Sequence, residues 1–260
     1  MNFNEARNID AILGTSVDVV SLHEAIERVQ TWAKSRTSQY VCFCNVHAVI
    51  TARCDSLFAR ALSNAAIVAP DGAPIAWMLR RLGHGKQQRI SGTDFFIDYC
   101  DRAQTTGESI YLLGSTPTTL TSLQNRLRRD FPKLHIAGAN SIPFRALTFD
   151  EDRRIVEEIN SSGAGTVWVS LGCPKQEIWM MIHLNDVNAV MLGVGAAFDF
   201  FAGTVPQAPR YLREHGFEWL FRLCAEPRRL WRRYLVTNTM FVLLAARQLL
   251  LRAVSRVTDS

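Results

Sequence analysis

Three apolar runs of the chain end in glycine: Leu113-Gly114-Ser115, Leu171-Gly172-Cys173-Pro174 and Leu192-Gly193-Val194-Gly195. Glycine at the end of a buried strand lets a ligand approach the backbone. The N–H groups that open the next helix favour phosphate. Taken singly, each glycine is explained by turn chemistry. Three on one sheet edge point to a nucleotide or diphosphate site. The dinucleotide fingerprint G-x-G-x-x-G is missing, because Gly193-Val194-Gly195 runs into Ala196-Ala197-Phe198. The P-loop pattern is missing too, which disfavours a nicotinamide dehydrogenase or an NTPase.

Pro70-Asp71-Gly72 follows another apolar run. A free aspartate titrates near ~3.9 and can accept a proton from a substrate hydroxyl. The alternative for Asp71 is a turn that caps the helix starting near Ala73. Cys173-Pro174-Lys175-Gln176-Glu177 opens a helix, where Pro174 suits the first position. Lys175 opposes the helix dipole there, and an anionic ligand over the helix start resolves that conflict. Glu177 suits the dipole. Asn45 ends the first buried strand, with His47 two residues on as a cap or surface residue. Arg89 lies between apolar segments and can pair with a phosphate or an acid. Asp199, after Phe198, can hold a sugar hydroxyl or act as a cap. Asp150-Glu151-Asp152 has the D-x-D form of a metal–diphosphate motif, but acids after Thr148 fit a helix first turn. No His/Cys/Asp cluster has metal-ligand spacing, and there is no G-x-S-x-G elbow. No metal and no cofactor are expected.

The elements that must position these residues alternate. Strands are predicted at 40–44, 66–69, 109–113, near 135–137, at 166–171 and at 189–192. Helices are predicted at 47–62, 116–130, 150–161 and 174–184. Short apolar runs between amphipathic helices indicate a parallel sheet covered on both faces, an α/β, Rossmann-like fold. A Rossmann-like domain is expected over 1–209, with a basic helical appendage over 210–260. The chain has 260 residues, 48% hydrophobic and 20% charged, which excludes a disordered chain and a disulfide-framed mini-protein. Its net charge of +5 is uneven: residues 210–260 carry 10 arginines against 4 acids, while 1–209 are close to neutral. The six cysteines fit buried, reduced thiols. The N-terminus lacks a signal-peptide pattern, and no run of 18 uninterrupted apolar residues exists. Arg222, Arg229, Arg232 and Arg233 share a face if their segment is one helix, although Pro227 can break it. Interleaved with Trp and Tyr, they suit a membrane headgroup zone or single-stranded nucleic acid.

Together these segments resemble the WecG/TagA/CpsF glycosyltransferases, over roughly 12–235. The resemblance rests on Asn45, Pro70-Asp71-Gly72, Arg89-Ile90-Ser91-Gly92-Thr93-Asp94, Tyr111-Leu112-Leu113-Gly114, Phe131-Pro132 and Leu171-Gly172-Cys173-Pro174-Lys175-Gln176-Glu177. It continues through Gly193-Val194-Gly195-Ala196-Ala197-Phe198-Asp199, Ala202-Gly203, Glu218-Trp219-Leu220-Phe221-Arg222-Leu223 and Glu226-Pro227-Arg228-Arg229.

The resemblance implies an inverting, metal-independent transferase in polysaccharide synthesis. It would move a sugar from a UDP-sugar to a polyprenyl-diphosphate-linked saccharide at the cytoplasmic membrane face. Asp71 matches the family's candidate base. Asn45, Arg89 and Gln176 match its other polar site positions, and Arg222, Arg229 and Arg232 match its basic tail. The donor is expected along Gly114, Ser115, Gly172, Pro174, Lys175, Glu177, Gly193, Gly195, Phe198 and Asp199. Partners are then an anionic membrane surface and no nucleic acid; a homo-oligomer is compatible. Phe43 stands where the family often has Thr, and Cys42 to His47 looks like the exopolysaccharide branch, so the donor is not narrowed to N-acetylmannosamine. The alternative of another class is a non-catalytic nucleotide- or nucleic-acid-binding module with a basic tail.

Overall fold

The computed structural model describes residues 7–143, 145–214 and 216–258, without the side chains of 210, 214, 229, 233 and 256–258. In chain order the elements are β1 (Ile9–Ile12), β2 (Thr15–Asp18), α1 (Leu22–Lys34), β3 (Gln39–Cys44), α2 (Val46–Cys54), α3 (Ser56–Ser63) and β4 (Ile67–Pro70). Next come α4 (Ala73–Leu82), α5 (Gly92–Thr106), β5 (Ser109–Gly114), α6 (Pro117–Asp130), β6 (His135–Asn140) and α7 (Phe149–Ser162). The last are β7 (Thr166–Ser170), α8 (Lys175–Ile182), β8 (Val190–Gly193), α9 (Ala197–Ala202), α10 (Arg210–Glu214), α11 (Glu218–Ala225) and α12 (Pro227–Thr258).

Six strands form one sheet in the order β4-β3-β8-β7-β5-β6, with its neighbouring strands parallel. The chain runs from β3 out to one edge at β4. It then starts again at β5, runs to the other edge at β6, and fills the centre with β7 and β8. Alternate residues serve opposite faces. Tyr40, Cys42 and Cys44 of β3 join one core layer, while Val41 and Phe43 join the other. Trp168 of β7 is fully buried in the second layer, ringed by Phe95, Phe96 and Tyr99 of α5.

The predicted parallel, two-faced sheet is the one found. The single helix expected over 47–62 is two helices. Asp55 ends α2 and caps α3, its Oδ1 accepting from Phe58 N–H at 3.0 Å. Such an interior Asp competes with helix continuation by offering its own cap. The β1–β2 hairpin turns at Leu13 and Gly14, both at positive φ. Buried Asp18 ties it to the sheet by accepting from Val68 N–H at 2.6 Å and pairing with Arg7. Cys42, Cys44 and Cys100 are buried thiols, as expected, whereas Cys54 and Cys224 are exposed.

The basic face expected across 222–233 is divided, because Pro227 starts a new helix. Arg222 lies on α11, and Arg232 lies on α12. α12 is long and apolar enough to cross a membrane by length and composition. It nevertheless lies against α2, with Phe241 and Ala245 buried in the first core layer. Gln248 bonds Leu13 N–H and Ala11 O, and Arg252 pairs with Asp10. Its other side leaves Leu235, Val242, Leu243 and Leu251 exposed.

Gly114 gives a test of the packing at the sheet's carboxyl edge. It sits at φ +100°, and a Cβ there would lie 2.4 Å from Ser170 O. Gly114→Ala is expected to cost about 2 kcal/mol or more in urea unfolding. A loss within experimental error of zero would mean that this edge adjusts freely.

Candidate active site

β3 and β4 pair with Cys44 opposite Pro70, so Asn45 and Asp71 leave the sheet side by side. Asp71 N–H donates to Cys44 O at 3.0 Å. Asn45 Oδ1 caps α2 by accepting from Ala48 N–H at 3.1 Å, which turns its amide nitrogen towards Asp71. Asn45 Nδ2 donates to Asp71 Oδ2 at 3.4 Å. The cap of α4 is Gly72, at φ +84° and without a side-chain hydrogen bond. The Asp71 carboxyl is therefore not a helix cap.

Desolvation by burial is the largest influence on Asp71, and the charge of Glu218 adds to it. The hydrogen bond from Asn45 and the charges of Arg89 and Arg222 oppose both, leaving the carboxyl raised to about 7. That is the range in which a carboxylate is most effective as a base at neutral pH. Arg89 is brought there by its neighbour: Ile90 N–H donates to Pro70 O at 2.8 Å. Arg89 Nη2 donates to Asp94 Oδ2 at 3.1 Å, and Nη1 is buried without a partner. Arg222 comes from α11, stacks over Phe200 at 5.3 Å, and has a buried Nε with no partner.

The glycine turns are bonded into one edge. Ser115, at φ +61°, donates its N–H to Ser170 O at 3.0 Å. Ser170 Oγ donates to Gly195 O at 2.8 Å. Gln176 links the rest: Oε1 accepts from Gly172 N–H at 3.2 Å, and Nε2 donates to Gly193 O at 2.8 Å and to Glu177 Oε1 at 2.9 Å.

The model of the Glycosyl transferase WecG/TagA/CpsF family matches residues 11–255 of this sequence. The chain belongs to this family. It is similar to the N-acetylglucosaminyldiphosphoundecaprenol N-acetyl-beta-D-mannosaminyltransferase of Bacillus spizizenii (strain ATCC 23059 / NRRL B-14472 / W23). The two are 32% identical over 176 residues, covering 67% of this chain and 66% of that relative. The chain thus spans just under two thirds of the relative's length.

Against the WecG/TagA/CpsF resemblance, the structure gathers Asn45, Asp71, Arg89 and Arg222 at one end of the sheet. Gly114, Ser115, Gly172, Gly193 and Gly195 form the neighbouring edge. Lys175 is exposed and, with Ser115, Ser170 and Leu171, lines a cleft of about 300 Å³ beside α7 and α8. Pro174 is the N-cap of α8, so Lys175 is its first helical residue.

Three expected ligand contacts are placed differently. Phe198 is fully buried against Phe96 and does not reach the edge. Glu177 is also buried, its carboxyl raised to about 7 by desolvation, with Oε2 unpartnered. Gly193 owes its size to packing, since a Cβ would meet Met180 Cε at 2.7 Å. Asp199 Oδ1 accepts from Thr119 Oγ1 at 3.3 Å, joining α9 to α6. Arg232 is exposed and lies over Trp231. The side chain of Arg229 is outside the described residues. Phe43, where the family often has Thr, packs edge-on against Phe95.

Asp150, Glu151 and Asp152 open α7, and Thr148 and Glu151 make a capping box, as the sequence predicts. Asp152 does more: Trp179 Nε1 donates to Oδ1 at 2.9 Å, and His183 Nε2 lies 2.8 Å from Oδ2. Among the described residues, no three His, Cys, Asp or Glu side chains group as a metal requires. Reading the sequence alone missed Glu218, Ser170 and Arg213 as parts of this neighbourhood. Asp94 lies in the Arg89–Asp94 segment, but nothing in the spacing shows the pair closing.

The raised acidity of Asp71 makes a signed prediction about stability. Between about pH 4 and 7 an unfolded chain loses this proton while the native state keeps it. The group's contribution is therefore full below about pH 4 and is lost as pH rises to 7. Asp71→Asn should melt above the parent protein at pH 8, the gap closing towards pH 4. Identical melting at both pH values would show that the carboxyl is not desolvated.

Proposed function

We propose that the protein is an inverting, metal-independent glycosyltransferase that moves a sugar from a UDP-sugar to a polyprenyl-diphosphate-linked saccharide. The observation that carries this reading is Asp71: a carboxyl titrating near neutrality, beside Asn45 and within reach of two arginines, next to a glycine edge. In the proposed step Asp71 takes the proton of the acceptor hydroxyl. The hydroxyl oxygen attacks the anomeric carbon, and the bond from that carbon to the diphosphate breaks on the opposite face. The leaving UDP carries away the electron pair. Arg89, Arg222 and the helix start at Lys175 meet its charge, in place of a metal. The family membership and the similarity to a transferase whose name specifies a diphosphoundecaprenol acceptor support the substrate class.

Two further parts belong to the proposal. Residues 1–209 act as the transferase domain, and 210–260 act as an acceptor- and membrane-binding appendage. α12 lies along the anionic inner face of the cell membrane and does not cross it. Its packed side is committed to α2 and the β1–β2 hairpin, and its apolar outer side is free to enter the interface. The cellular role is cell-surface or extracellular polysaccharide synthesis.

The test is a screen of UDP-sugars with a synthetic lipid-diphosphate-sugar acceptor, read by mass spectrometry. One donor should be transferred, with kcat/KM falling as pH drops below about 7, because protonated Asp71 cannot act as the base. Asp71→Asn should remain folded and lose at least ~10²-fold in turnover. Near-normal transfer by that variant would remove Asp71 from the mechanism.

The tail arginines are assigned different roles because Arg222 lies on α11 and Arg232 on α12. Arg222→Gln should lower turnover on a short, water-soluble acceptor. Arg232→Gln should leave that turnover alone and weaken flotation with anionic vesicles, at about 1 kcal/mol per charge. The opposite pattern would exchange their roles.

A further inference from the structure

A glutamate at the third position of a helix behind a Ser or Thr cap can reach back to the cap. Glu24 and Glu151 do so at the starts of α1 and α7. Asp94 holds the same position in α5, where Ser91 Oγ caps its N–H at 3.1 Å, but its carboxylate turns away. Oδ2 takes Arg89 Nη2 at 3.1 Å, and Oδ1 takes Arg213 Nη1 at 2.8 Å. The first arginine belongs to the Asp71 neighbourhood and the second to α10, 119 residues further along the chain than Asp94. Both guanidinium side chains are largely enclosed, at 17% and 16% exposure.

This bridge leaves donors over. Arg89 Nη1, Arg213 Nε and Arg222 Nε are all buried with no acceptor. Asp71 feels the charges of Arg89 and Arg222 but accepts none of these hydrogens. A buried guanidinium N–H group costs free energy unless something accepts from it. An acceptor able to meet several at once carries several charged oxygens, which is the chemistry of a phosphate or diphosphate.

We propose that Asp94 and Arg213 are positioning residues. The Arg89–Asp94–Arg213 bridge seats the segment that starts at Arg210 over the Asp71 edge. It thereby presents Arg89, Arg213 and Arg222 together to a phosphate-bearing substrate. The identity of that substrate rests on the glycosyltransferase reading; the seating does not.

Two readouts on the full chain test the bridge. In hydrogen–deuterium exchange, Asp94→Asn and Arg213→Gln should each speed exchange across 210–226 by at least 5-fold, while 92–106 stay protected. Unchanged exchange at 210–226 would overturn the seating. Should Asp94→Asn loosen α5 itself, Arg213→Lys decides instead: recovered protection relative to Arg213→Gln supports the bridge, and none overturns it. In steady-state kinetics each single variant should lose at least 10-fold in kcat/KM, and the double variant should lose no more than the worse single one. Losses that multiply would mean that the two residues act separately. If the parent protein transfers no UDP-sugar, the enzyme reading fails, yet inorganic diphosphate still probes the site. It should slow exchange at 210–226 in the parent and not in Asp94→Asn; an equal effect in both would overturn the proposal.

Discussion

Asp71 is a half-buried carboxyl group at the end of a parallel strand, and its surroundings answer to the cost of charging it. Burial alone favours the protonated acid, and the nearby Glu218 favours it further. Asn45, Arg89 and Arg222 each lower that cost, from three segments that are far apart in the chain. The balance leaves an acid able to change state near neutrality. Without the cations it would stay neutral; with water around it, it would be an ordinary ionised carboxylate.

That balance depends on strand register. With Cys44 opposite Pro70, Asn45 and Asp71 emerge together. A slip of one residue would send one of the two side chains to the other side of the sheet. The adjacent glycine edge is held with similar economy. Gln176 uses both ends of its amide on the backbone of two turns and so ties them together. Such preorganised dipoles need no rearrangement when charge develops on a leaving group.

The C-terminal segment combines two kinds of attachment. A polar contact ties its beginning to α5, through Arg213 on Asp94. Apolar packing and two long polar side chains hold its end against α2 and the β1–β2 hairpin. The exposed apolar side of α12 then faces outward from a helix that is already anchored.

Much of this protein is determined by the sequence itself. Apolar runs of strand length, separated by amphipathic helices, indicate a parallel two-faced sheet, because that arrangement buries both faces of its central strands. The ends of those runs placed Asn45, Asp71 and the glycines on one edge, since all parallel strands end on the same side. The acids of α7 were legible as a helix start for the same local reason. What the sequence alone did not decide depends on contacts between distant segments. Whether Asp71 caps a helix or stands free was settled by Gly72 taking the cap. Whether Phe198 meets ligand was settled by the aromatic cluster that encloses it. The Arg89–Asp94–Arg213 bridge follows from how the elements pack, whereas the break at Asp55 and the partition of Arg222 from Arg232 are local, set by a side-chain cap and by Pro227. A residue's type and spacing set which chemistry it can do. Desolvation and the charges around it, which exist only once the chain is folded, set which state it occupies.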